Sequence, residues 1–154
     1  MGQFLRVGTG SDRHPVSSQE QAKRILIVDD SEVVREIVRK FLEKSGYLVC
    51  GEAANGADAI TKARATKPDL IVMDLVMPGI NGIEATSVIR TTMPKVPIIA
   101  FTMYEERAAS MTSKLAINTV VSKPDGLEKL VECIRSVIGP APKSPLDSVF
   151  LLRR

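Results

Sequence analysis

A chain of 154 residues, 44% of them hydrophobic, carries enough apolar material for one domain with a sizeable core and short extensions. Aromatics make up only 4% and Trp is absent, so that core has to be built from Val, Ile, Leu, Ala and Met. The formal charge is +3, most of it after Gly139, where Lys143, Arg153 and Arg154 outnumber Asp147, and this excludes a broad nucleic-acid-binding face.

Residues 1–22 are polar and lack periodicity, and they read as a disordered N-terminal extension. His14 stands alone there, with no second metal ligand nearby in sequence. Gly2 does not open a myristoylation signal, since Arg6 stands where Ser or Thr is needed. The domain begins at Lys23–Asp30, where Ile25, Leu26, Ile27 and Val28 form the continuous apolar run of a strand covered on both faces. Ser31–Ser45 is a helix, with Val33, Val34, Ile37, Val38, Phe41 and Leu42 at helical spacing and Gly46 as its stop. Tyr47–Ala53 is a second strand, and Ala57–Ala65 an Ala-rich helix closed by Lys67-Pro68. A third strand, Leu70–Met73, runs into Asp74, after which Pro78, Gly79, Asn81 and Gly82 forbid continuation. Then come a helix at Ile83–Thr92, a strand at Pro97–Phe101 ending on Thr102, and a weakly amphipathic helix at Glu105–Ala116. The last pair is a short strand, Thr119–Val121, and a strongly amphipathic helix, Leu127–Ile138, with Asp125 and Glu128 at capping-box spacing.

Five apolar strands alternating with five helices call for an α/β domain, a doubly wound five-stranded parallel sheet, over residues 23–139. Residues 140–154 form a short tail without an effector domain, ending in the apolar Val149–Leu152 and Arg153-Arg154. Nothing after Gly139 could make a helix-turn-helix, so DNA binding is not expected. No run approaches membrane-spanning length, so no membrane contact is expected. Cys50 and Cys133, outside any CxxC pattern, read as reduced, partly buried thiols of a cytoplasmic protein.

Polar side chains gather at four strand ends: Asp29 and Asp30 after the first, Asp74 after the third, Thr102 after the fourth, Lys123 after the fifth. Sites in open α/β sheets form outside the carboxyl ends of the strands. With strand order 2-1-3-4-5, the four ends are contiguous and strand two, an edge, offers no such group. Singly, each residue has a plainer reading. Asp29 or Asp30 could cap the first helix with Ser31, Asp74 could turn the chain, Thr102 and Glu105 have capping-box spacing, and Lys123 could be a solvated charge. Together they describe a phosphoryl-transfer site. Clustered carboxylates repel unless a cation intervenes, and all-oxygen ligands with room for water suit Mg²⁺ rather than a caged Ca²⁺. A metal-neutralised carboxylate can attack phosphorus, while an ammonium and a hydroxyl bind the transferred oxygens.

The pattern Asp29-Asp30, Asp74-x-x-Met77-Pro78-x-x-x-Gly82, Thr102 and Lys123-Pro124 resembles the receiver domain of bacterial two-component response regulators, a flavodoxin-like fold. The resemblance spans residues 24–139. It implies that Asp74 is the phosphoacceptor, supplied by a histidine kinase or a histidine-phosphotransfer protein. It implies that Asp30 and Asp74 bind Mg²⁺ directly, with Asp29 acting through water and the Val76 backbone carbonyl as a further ligand. Thr102 would bond the phosphoryl group and shift, and Lys123 would pair with it, across a cis Lys123–Pro124 bond. Part of the Val33/Val34/Ile37/Val38 stripe would receive the kinase's helical bundle, core packing being the plainer role for any one residue.

Two features depart from that family. Val120 stands where a switch aromatic is usual, and Tyr104 is a candidate substitute. Val76 and Tyr104 occupy the positions that tune dephosphorylation, and neither positions water well, so a persistent phosphoryl state is expected. The leading reading is a single-domain response regulator that signals through protein–protein interaction with an unidentified target and catalyses only its own phosphorylation and dephosphorylation. The alternatives are a degenerate receiver acting as a phosphorylation-independent interaction module, and a flavodoxin-like cofactor binder, whose phosphate would meet the repelling charges of Asp29-Asp30.

Overall fold

Side chains alternate across β1 (Arg24–Val28), and that alternation generates the layers of the molecule. Ile25 and Ile27 face one way, Leu26 and Val28 the other, and all four are buried. The computed structural model describes residues 21–142. The N-terminal extension with Gly2 and His14, and the tail with Val149–Leu152 and Arg153-Arg154, lie outside the described residues.

The remaining elements are α1 (Glu32–Lys44), β2 (Leu48–Ala53), α2 (Gly56–Thr66), β3 (Leu70–Met73), α3 (Gly82–Thr92), β4 (Ile98–Thr102), α4 (Glu105–Ala109), α5 (Thr112–Leu115), β5 (Thr119–Ser122) and α6 (Gly126–Ile138). A 3₁₀ turn, Lys123–Asp125, joins β5 to α6. The five strands form one parallel sheet in the order β2-β1-β3-β4-β5. On one face Leu26, Val28, Ile71, Met73, Ile98 and Ala100 pack against Ala59 and Ala63 of α2, Ala85 and Ile89 of α3, and Ala108 of α4. On the other, Ile25, Ile27, Leu70, Val72, Ile99 and Phe101 pack against Val38 and Leu42 of α1 and Leu130, Val131 and Ile134 of α6. Burying side chains of this size contributes about 1.5–3 kcal/mol each relative to exposure.

Local chemistry sets the helix starts. Ser31, Asn55 and Asn81 each accept, through the side chain, a backbone N–H three residues on, at Val34, Asp58 and Glu84. Neither pair at capping-box spacing, Asp125 with Glu128 or Thr102 with Glu105, makes a cap. Asp125 has helical backbone angles inside the 3₁₀ turn and makes no side-chain cap, while Thr102 ends β4 and Tyr104 takes the cap position of α4. The single helix expected over 105–116 is broken into α4 and α5. Ser110 and Thr112 turn their hydroxyls back on the carbonyls of Arg107 and Ala109, and neither short helix has a side-chain cap. The expected cis bond at Lys123–Pro124 is also corrected, because no cis peptide occurs among the described residues. Proline's fixed φ suits the first turn of a 3₁₀ helix in the trans form.

Two glycines hold the loop after β3 against the sheet edge. A Cβ on Gly82 would lie 2.0 Å from the Asp74 carbonyl oxygen and 2.7 Å from Leu75 Cα. A Cβ on Gly56 would lie 2.3 Å from the Ile80 carbonyl oxygen, to which the Gly56 N–H donates at 2.8 Å. Both obstacles are main chain, which cannot step aside as a side chain can. Gly82→Ala is therefore expected to cost about 3 kcal/mol, read as a lowered urea midpoint; an unchanged midpoint would show that the loop relaxes freely.

Candidate phosphoryl-transfer site

The sheet register carries the site residues to one edge. Val28 of β1 pairs with Met73 of β3, so Asp29 and Asp74 are the next residues on adjacent strands. Thr102 of β4 pairs with Ser122 of β5, so Lys123 follows immediately. Ladder bonds hold both acids by the backbone: the Asp74 N–H donates to the Val28 carbonyl at 2.8 Å, and the Asp29 N–H to the Ala53 carbonyl at 3.0 Å.

Asp29 and Asp74 are 3% and 6% exposed, while Asp30 faces solvent. Each of the three offers a carboxylate oxygen, and these oxygens lie within 4.8 Å of one another. The Lys123 ammonium bridges two of them, donating to Asp29 Oδ2 at 2.6 Å and Asp74 Oδ2 at 3.1 Å. The other oxygens of those acids accept backbone N–H groups, Ser31 N–H to Asp29 Oδ1 at 2.9 Å and Val76 N–H to Asp74 Oδ1 at 3.1 Å. Burial raises the Asp74 pKa above the ordinary carboxylate value, and the Asp29 charge adds to this, against the pull of the Val76 N–H and Lys123. Burial draws Lys123 down, but the hydrogen bonds and charges of Asp29 and Asp74 together outweigh it, so its pKa stands above the ordinary lysine value. Three carboxylates against one ammonium leave the cluster short of positive charge.

Thr102 is fully buried, and its Oγ1 accepts the Tyr104 N–H at 3.2 Å, leaving the O–H free to donate. Tyr104 is 57% exposed, so its tie to Thr102 runs through the main chain. Val120 is half-buried beside Ala100 and lines a groove with Ala109 and Ile117. Val33 and Ile37 on α1 are 65% and 49% exposed, whereas Val38 of the same stripe is core. Cys50 and Cys133 are free and half-buried.

The structure thus brings Asp29, Asp30, Asp74 and Lys123 into one cluster and puts Thr102 at the same sheet edge. The sequence reading missed Arg35, whose Nη1 donates to the Asp29 carbonyl at 2.8 Å, and Glu52, which pairs with it. A charged Glu in an otherwise apolar edge strand was the available signal.

Residues 25–135 match the response regulator receiver domain family. The chain is 36% identical over 117 residues to Protein CcdB of Bacillus subtilis, covering 75% of this chain and 98% of that one. It is 35% identical over 116 residues to the chemotaxis protein CheY of Thermotoga maritima, covering 75% and 97%. Among solved structures, the response regulator domain of T. maritima CheB superposes with a TM-score of 0.71 at 30% identity, covering 77% and 97% of the two chains. The response regulator protein TrrA of the same organism, solved in complex with Mg²⁺–BeF, gives 0.69 at 32% identity, covering 75% and 98%. The chain belongs to the response regulator receiver domain family. It is thus a two-component receiver with an acidic cluster typical of receiver Mg²⁺ sites, in a family that partners with histidine kinases and has no catalysis beyond its phosphorylation chemistry. Among the described residues no helix is long and apolar enough to cross a membrane.

A pH dependence follows from Asp74. Its raised pKa means that the folded state holds the Asp74 proton more tightly than the unfolded state. The stability this gives is complete below the ordinary carboxylate pKa and is lost as pH rises through the Asp74 value. Asp74→Asn in metal-free protein should therefore add on the order of 1 kcal/mol at neutral pH. The gain should vanish in acid, where wild-type Asp74 is itself neutral. Thermal melts across pH check this, and a destabilised variant at neutral pH would contradict it.

Proposed function

We propose that this chain is a single-domain response regulator that accepts a phosphoryl group on Asp74 from a histidine kinase or a histidine-phosphotransfer protein. The reading is of a receiver module over 23–139 in the cytoplasm, signalling by protein–protein contact, with neither DNA nor membrane as partner. The observation that carries it is the convergence of Asp29, Asp30, Asp74 and Lys123 at one sheet edge.

The donor set fits a divalent cation: oxygens only, three carboxylates within 4.8 Å, one of them exposed to solvent. Asp29, Asp30 and Asp74 would hold Mg²⁺ with the Val76 carbonyl, in keeping with the Mg²⁺–BeF complex in which the relative TrrA was solved. When bound, the ion neutralises the carboxylates and the incoming phosphoryl oxygens.

In this proposal Asp74 is the residue that reacts. Its Oδ attacks phosphorus, the new P–O bond forms as the donor's P–N bond breaks, and the imidazole leaves with that electron pair and takes a proton from solvent. Asp29 and the Val76 N–H fix the environment of Asp74. Lys123 neutralises an oxygen of the transferred group, and the free Thr102 O–H donates to another. Val76 and Tyr104 beside the site are exposed and carry no group suited to activating water for hydrolysis. The half-buried Val120 favours the alternative, an interaction module independent of phosphorylation, because it removes a bulky group that could report on Thr102.

Intact mass after incubation with a small acyl-phosphate donor separates the two. The proposal expects one Mg²⁺-dependent phosphoryl group, absent from Asp74→Ala and decaying over minutes or longer once donor is removed. Decay within seconds would contradict the persistence argued from Val76 and Tyr104. Neither modification nor Mg²⁺ binding would establish the alternative.

A further inference from the structure

The three acids of the cluster are not held alike. Asp29 has both oxygens engaged, by the Ser31 N–H and by Lys123. Asp74 has both engaged, by the Val76 N–H and by Lys123. Among the described residues no side-chain or backbone donor bonds the Asp30 carboxylate, so its direction is set by the backbone that carries it. That backbone is fixed on both sides. Ser31 is tied to Asp29 Oδ1, and the Asp29 carbonyl, part of the Asp29–Asp30 peptide, accepts from Arg35 Nη1 at 2.8 Å.

Arg35 is itself restrained. Its side chain is 15% exposed, and its Nε lies 3.5 Å from Glu52 Oε1. The other Glu52 oxygen pairs with Arg39 at 2.6 Å, and the Glu52 carbonyl accepts from Lys62. Glu52 also stands in register with Ile27 of β1. The edge strand that places no group in the site therefore reaches it through a chain, Glu52 to Arg35 to the Asp29–Asp30 peptide.

We propose that Arg35 is a positioning residue that aims Asp30 at the cation, and that Glu52 on β2 holds it in place. The inference rests on the divalent-cation reading above. It makes a prediction whose sign opposes simple electrostatics. A guanidinium near a cation site repels the cation, so if Arg35 acted only as a charge, removing it would tighten Mg²⁺ binding. If it positions Asp30, removing it weakens binding, as loss of the groups that orient metal ligands does, by about tenfold.

The test is calorimetric titration of the full chain with Mg²⁺, for wild type, Arg35→Ala, Arg35→Lys, Glu52→Gln, Arg35→Ala/Glu52→Gln and Asp30→Asn, with a thermal melt of each. The expected results are about tenfold weaker binding for Arg35→Ala, part of the affinity kept by Arg35→Lys, and a smaller loss for Glu52→Gln that disappears in the Arg35→Ala background. If Arg35→Ala does not fold, the comparison of Arg35→Lys and Glu52→Gln with wild type decides by the same sign. Binding unchanged or tightened by the Arg35 substitutions, with wild type still binding through Asp30, would overturn the positioning role alone. A wild type that does not bind Mg²⁺, or binds it no better than Asp30→Asn, would overturn the cation reading and this inference with it.

Discussion

The ammonium of Lys123, 2.6 Å from Asp29 and 3.1 Å from Asp74, is the interaction on which the carboxyl edge of the sheet depends. Two nearly buried acids on adjacent strands would otherwise face each other with no compensation. The lysine comes from β5, at the far edge of the sheet, so it can reach them only if β4 and β5 are in register with β3. One side chain therefore ties the ends of three strands together. It also leaves a deficit, since one ammonium does not balance three carboxylates, and the proposed divalent cation would fill that deficit. A phosphoryl group on Asp74 would bring about two negative charges of its own, so the same lysine serves the reactant and the product.

The rest of the domain keeps that edge in place. The alternating faces of β1, β3 and β4 are filled by α2 and α3 on one side and by α1 and α6 on the other, so the strands cannot slip without turning core residues outward. Gly82 and Gly56 let the loop after Asp74 lie against main chain where any Cβ would collide. The polar network of Glu52, Arg35 and Arg39 anchors α1 to the edge strand close to Asp29. The segment beyond Thr102 is built differently, from two short helices without side-chain caps, and the Tyr104 backbone N–H donates to the Thr102 hydroxyl.

Much of this was legible in the residues. Four-residue apolar runs such as Ile25–Val28 and Leu70–Met73 announce strands buried on both faces, and the acids, Thr102 and Lys123 stand directly after them. The expected strand order 2-1-3-4-5, under which those ends are contiguous, is the one the sheet has. Less legible were features decided by competition between local alternatives. Ser110 and Thr112 bond back to their own turn and break the helix expected over 105–116, which its modest apolar periodicity could not prevent. Asn55 and Asn81 cap α2 and α3, each two residues before the first expected helical position, as polar residues next to Gly can do. Asp125 and Glu128 have capping-box spacing, yet Pro124 draws Asp125 into a 3₁₀ turn where it cannot cap. Arg35 and Glu52 were hidden for another reason. Their contact joins a helix to a neighbouring strand, and a solvated helical face looks the same in sequence as an anchored one.

Of the three clustered acids, Asp74 is the proposed acceptor of the phosphoryl group. The most direct measurement traps the modified residue. Protein phosphorylated in the presence of Mg²⁺ is reduced with borohydride, which converts an aspartyl phosphate to homoserine, and the peptides are then sequenced. Homoserine is expected at position 74 and nowhere else. Homoserine at position 29 or 30, or a phosphate that survives reduction as an ester on Thr102, would contradict it.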